Sequence, residues 1–293
     1  MAGEVNGVFA NGRQQDAQEF LEFLLDYLHE DLNPNASRSQ LRELTTEEEQ
    51  YREGLPIPYA SFLEWQRYIH RNYSVIVNWF QGQLCSRLTC MICKTRSTTY
   101  TPFMYLSLPV PPKKHATIQD CLTEFCREEV LDNDDAWHCP ACKKARKATK
   151  KLTITRLPHI LIIHLKRFTN DGRWNDKLTK LVQFPLKELG MSKYVPQLGD
   201  SEEGGVQGTT VPGFNPPPEQ TAPFLYDLYG VVNHYGTLTA GHYTSFVRDT
   251  WGEGWRLFDD TRAKKVQNED EVIVRSPFRH TLKPTNVLFL CGG

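Results

Sequence analysis

The sequence predicts an α+β fold, and three observations carry that prediction. Near the start, apolar residues recur at three- and four-residue steps, the signature of a helix that buries one face. From about Gln83 onward, segments rich in Thr, Tyr, Ile and Leu read as strands. Helices first and strands afterwards, without strand–helix alternation, argue against a doubly wound parallel sheet. A chain of 293 residues suits one large domain or two small ones.

The elements follow in order. Residues 14–32 form the first predicted helix, with Phe20, Leu21, Leu24, Leu25, Leu28 and Leu32 on one face. Asn11 or Gly12 starts it, Asp16 and Glu19 suit its positive end, and Pro34 with Asn35 stops it. Residues 35–54 are polar and read as a surface helix or a mobile insert. Residues 62–80 mix aromatics and aliphatics and pack as one or two helices. Strands are expected at 84–88, 97–110 and 151–168. Between them, 117–129 reads as a short helix, because Thr117 and Asp120 stand at capping-box spacing before Ile118, Leu122 and Phe125. Residues 199–220, rich in Gly, Pro, Glu and Thr, read as a flexible loop. Strands resume at 224–233, 241–247, 255–258 and 286–290.

Charge and composition exclude several classes. The 34 Lys and Arg nearly balance the 35 Asp and Glu, which argues against a nucleic-acid binder acting through bulk positive charge. The basic run 143–151 reads as a solvated hairpin tip, with a zinc-ribbon nucleic-acid protein as its rival. The longest apolar run, 287–291, has five residues, whereas a membrane span needs about 20. Residues 1–9 hold Glu4 and no basic residue, so no secretory signal is expected. Cytoplasm or nucleus is the expected location.

Two groups of residues carry chemistry. Cys90/Cys93 and Cys139/Cys142 each present thiolates two residues apart, and together they fill a tetrahedral four-cysteine zinc site of structural type. Isolated thiols and a redox pair are the other readings. His242 follows Gly241 and precedes Asp259 by 17 residues. Neighbouring antiparallel strands would set that carboxylate beside the imidazole, fixing its tautomer and leaving the other nitrogen as a general base. A satisfied structural histidine is the alternative. Gly241 would let the backbone pass close to a substrate.

The sequence resembles the catalytic domain of the ubiquitin-specific proteases, papain-like cysteine enzymes. The motifs stand in the family order: Gln14-Gln15-Asp16-Ala17-Gln18-Glu19-Phe20, the two cysteine pairs, His164-Leu165-Lys166-Arg167-Phe168, Asn233-His234-Tyr235-Gly236, Gly241-His242-Tyr243-Thr244 and Phe258-Asp259-Asp260. The resemblance implies a hand-shaped fold: a partial thumb at 1–80, zinc-ribbon fingers leading into the palm at 81–168, and an antiparallel palm at 169–293. It implies hydrolysis after the C-terminal Gly of ubiquitin, with ubiquitin and ubiquitinated proteins as partners and a structural zinc ion. His242 would be the base and Asp259 its orienting carboxylate, with Asp260 helping the oxyanion or the histidine. Asp16 and Glu19 would hold the basic tail of ubiquitin, and Tyr235 and Gly241 would line the channel for it. One departure is marked. The family's Asn-Thr-Cys block, which supplies the nucleophile, has no match here, since no cysteine precedes Gln14. The expectation is therefore a deubiquitinase segment inactive by itself, or a module that binds ubiquitin without cutting it.

Overall fold

The computed structural model describes residues 7–10, 15–113, 115–170, 175–178, 181–196, 214–217, 220–236, 241–249, 254–273 and 285–292. Most of the predicted flexible loop at 199–220 lies outside them.

Four helices come first: α1 (Ala17–Asp31), α2 (Thr46–Glu53), α3 (Ile57–Ile69) and α4 (Val75–Phe80). Helix α1 starts later than predicted. Asp16 is its cap, with a carboxylate oxygen accepting from the Gln18 amide at 2.7 Å, the role for which aspartate is favoured. Its predicted apolar face also divides. Leu25 is buried and Leu21 and Leu28 pack beside it, whereas Phe20, Leu24 and Leu32 are exposed. The polar stretch before α2 ends in a complete capping box between Thr45 and Glu48.

Strands β1 (Gly82–Cys90), β2 (Arg96–Phe103) and β3 (Leu106–Pro109) follow, then helix α5 (Ile118–Phe125). Next come β4 (Glu129–Leu131), β5 (Trp137–Cys139), β6 (Lys144–Arg146), β7 (Ala148–Arg156) and β8 (Ile160–Lys166). The last are β9 (Leu225–Gly236), β10 (Gly241–Asp249), β11 (Gly254–Asp259), β12 (Arg262–Lys265) and β13 (Thr285–Gly292).

Two sheets organise these strands. A smaller antiparallel sheet runs β2-β1-β7-β4. A larger one runs β12-β11-β10-β9-β13-β8-β3, parallel only between β3 and β8. Two predicted strands are each divided between the sheets. The stretch 97–110 bends at Met104 and Tyr105, and 151–168 breaks at Leu157–His159. Pro158 lacks the amide a central strand must donate. The predicted helix 117–129 ends at Phe125, and Glu129 opens β4 on the edge of the smaller sheet. Cys291 lies within β13, not beyond it.

The main core lies between α5 and the larger sheet, where Ile118, Leu122, Leu161, Ile163, Leu165, Phe246 and Leu288 are buried. A second cluster seats α1 and α4 on that sheet through Leu25, Ile76, Ile162 and Val287. That cluster sets α1 and α4 beside β8 and β13.

Candidate functional site

His242 is the second residue of β10, and Asp259 is the last of β11. These strands pair antiparallel with Ser245 opposite Phe258. One step further sets Asp259 opposite Thr244, so it lies diagonally from His242 on the same face, within reach of a long side chain. His242 Nε2 and Asp259 Oδ1 are 2.6 Å apart. With the Nε2 proton engaged there, Nδ1 is the nitrogen with a lone pair to accept a proton. Both side chains are partly open to solvent, 43% and 37% exposed, so the pair faces a surface that a substrate can reach.

Asp260 follows in the turn after β11, with φ of 48°, a left-handed conformation that aspartate tolerates. One ligand atom from each of His242, Asp259 and Asp260 lies within 4.8 Å of the others, and no cysteine sulfur joins them. Tyr235 pairs directly across from His242, and Gly241 across from Gly236. Glu19 is exposed, one turn along α1 from the Asp16 cap. Asp16 does not touch His242. It acts electrostatically on the half-buried His164, where burial lowers the imidazole pKa and the Asp16 carboxylate opposes that shift.

No described cysteine sits beside this pair. Cys121 and Cys126 are packed in and after α5, and burial pushes each thiol up to about 11. Cys85 is buried in β1. Cys291 is at the far end of β13 from Thr285, the end that registers with His234 and thus with Tyr243.

The other four cysteines meet. Cys90 ends β1 and Cys139 ends β5; each opens a tight turn closed by a lysine at positive φ, Lys94 at 60° and Lys143 at 53°. All four sulfurs lie within 4.8 Å of one another, with Cys93 and Cys139 at 3.5 Å. Tetrahedral ligands at about 2.3 Å from an ion stand somewhat under 4 Å apart, so the set fits one metal ion. The Thr95 hydroxyl pulls the Cys93 thiol down to about 6, and the bond to Cys93 then pushes Cys142 up to about 11. With an ion bound all four would be thiolates, and its charge would offset theirs.

Sequence reasoning missed Gln15, His164, His234 and Tyr243 as neighbours of the site. All four lie within quoted motifs; His234 and Tyr243 meet across one hairpin, whereas Gln15 reaches Tyr243 from 228 positions away. A surface crevice of about 660 Å³, lined by His29, Trp65, Tyr68 and Tyr100, contains none of the candidate site residues.

Comparisons with known proteins agree over nearly the whole chain. The family model described as ubiquitin carboxyl-terminal hydrolase matches residues 1–288. Ubiquitin carboxyl-terminal hydrolase 4 of Saccharomyces cerevisiae is 45% identical over 278 residues, 92% of this chain and 29% of that protein. Ubiquitin carboxyl-terminal hydrolase 5 of the same yeast is 42% identical over 278 residues, 95% of this chain and 33% of that one. The solved SAGA Ubp8/Sgf11/Sus1/Sgf73 DUB module bound to ubiquitin aldehyde matches with a TM-score of 0.67 at 28% identity, covering 100% of this chain and 52% of the other. The chain thus spans 29–33% of the length of these curated relatives.

Proposed function

The chain belongs to the ubiquitin carboxyl-terminal hydrolase family, and from that membership we propose that it carries the ubiquitin-binding surface and the acid–base half of a cysteine-type deubiquitinase. The observation that carries the reading is the 2.6 Å contact between His242 and Asp259. In the proposed reaction a thiolate attacks the carbonyl carbon of the last glycine of ubiquitin. The substrate lysine leaves as its amine, taking a proton from His242, and an acyl-enzyme remains. His242 then draws a proton from water, whose oxygen bonds to the acyl carbon and displaces the sulfur as thiolate, releasing ubiquitin with a free C-terminal carboxyl group. Asp259 holds the imidazole tautomer, and Asp260 assists the histidine or the oxyanion.

The nucleophile is none of the eight cysteines, given where they lie. By itself, then, the 293-residue chain binds ubiquitin and does not hydrolyse it. Asp16 and Glu19 hold the basic tail, and Tyr235 and Gly241 line its path. The helices of 1–80 act as thumb, the smaller sheet as fingers and the larger sheet as palm. Support comes from the solved neighbours, one Ubp8 module bound to ubiquitin aldehyde and another bound to monoubiquitin. Zinc is the proposed ion for Cys90, Cys93, Cys139 and Cys142, since four soft thiolates select it and leave no position for water. Eight unpaired thiols fit a reducing cytoplasm or nucleus.

The test uses ubiquitin with a thiol-reactive group at its C-terminus, followed by intact mass. The folded chain is expected to bind ubiquitin in a titration yet to form no adduct. An adduct lost on replacing one cysteine would overturn the assignment of the nucleophile. Absence of any binding would overturn the ubiquitin reading itself.

A further inference from the structure

The hydroxyl of Tyr243 donates to the backbone carbonyl of Gln15 at 3.0 Å, joining residues 228 positions apart. Tyr243 follows His242 on β10, and Gln15 precedes Asp16, the cap of α1. The acceptor lies outside the ladder of α1, whose first carbonyl is that of Asp16, bonded to the Phe20 amide at 3.0 Å. The donor is well held. Its ring packs at a tilt of 34° against the buried His234, with centroids 4.6 Å apart. Burial, and after it the charge of Asp16, raises the phenol pKa, so the group stays protonated and able to donate.

We infer that Tyr243 is a positioning residue, which fixes the cap of α1, and with it Asp16 and Glu19, relative to His242. The strand that carries the base and the turn that carries the first tail-binding acid then move as one body. A ubiquitin tail gripped by the acids is thereby delivered in register with the imidazole. This inference rests on the ubiquitin reading above.

Tyr243→Phe keeps the ring on His234 and removes the hydroxyl's bonds to the main chain at Gln15 and Ala17, both at the start of α1. The experiment titrates the 293-residue chain with ubiquitin and with ubiquitin cut back to remove its tail. Tyr243→Phe is expected to weaken intact ubiquitin about fivefold, the weight of one hydrogen bond, and to leave the tail-less form unchanged. Combined with Asp16→Asn and Glu19→Gln together it should add nothing further, because Tyr243 acts through those two acids. Equal weakening of both ubiquitins, no weakening, or additivity with the paired change of Asp16 and Glu19 would overturn the inference and leave the ubiquitin reading standing. A wild-type chain that binds neither form would remove both. Hydrogen exchange gives a readout that needs no ligand. The Gln18 amide, bonded to the Asp16 carboxylate, should exchange faster in Tyr243→Phe, and an unchanged rate there would also refute the role.

Discussion

Gly241 shows how closely the backbone is packed beside the histidine. A Cβ there would fall closer than 3.0 Å to both the Tyr235 carbonyl oxygen and His234 Nε2. Neither atom can swing aside, since one is main chain and the other belongs to a buried ring packed against Tyr243. Gly241→Ala should therefore push the start of β10 away from β9, at a cost of about 2 kcal/mol, and drag His242 from Asp259. A lowered melting temperature together with a changed His242 imidazole signal by NMR checks this. An unaltered signal would show that the strand absorbs the methyl group without moving the site. The glycine and the His242–Asp259 spacing were legible in the sequence, because a hairpin register follows from strand periodicity. The partners Gln15 and Tyr243 were not, since 228 residues separate them and no local pattern encodes their meeting.

At the scale of elements, α5 was the most legible, because its signal is local. Thr117 Oγ1 accepts from the Asp120 amide at 3.2 Å, and an Asp120 carboxylate oxygen accepts from the Thr117 amide at 2.9 Å. The helix buries Ile118, Cys121 and Leu122, so loosening its first turn is felt in the main core. Thr117→Ala should cost about 1 kcal/mol, read as a lower denaturation midpoint at neutral pH. The box also has a pH signature. Lys113, 2.6 Å away, and the Thr117 bonds hold the Asp120 carboxyl at about 2, below its usual value of 3.8. A depressed folded pKa gives stability that is present above 3.8 and lost as pH falls through about 2. Asp120→Asn should flatten the melting curve across that window, and an unchanged acid slope would count against the box. The long strands were less legible, because a β pattern does not say which sheet receives each half. Only a bend at Met104 and Tyr105 and the proline at 158 mark where the chain changes sheets.

For the whole molecule, the four cysteines matter because they fasten a piece that the sheets do not. The hairpin of β5 and β6 pairs with neither large group of strands. Beyond its own ladder, the knuckle is joined to that region by the Met91 amide bonded to the Lys147 carbonyl at 3.0 Å, and Lys147 pairs with Asp132 at 3.0 Å. Spacing made the two cysteine pairs and their single four-thiolate site legible, but not that the set would join a strand end to a hairpin outside both large sheets. A structural zinc ion at these thiolates would supply folding energy where hydrophobic burial is thin, since Met91 and Ile92 at the knuckle are themselves exposed. The purified chain should hold one zinc per molecule by elemental mass spectrometry, and Cys139→Ser should hold none. Hydrogen exchange should rise in 137–146 and in the turn after Cys90. The larger sheet, whose core is built from Leu161, Ile163, Phe246 and Leu288, should keep its protection. Metal retained by Cys139→Ser would defeat the four-ligand site. Loss of protection throughout the larger sheet would instead show that the two sheets fold as one unit through the metal.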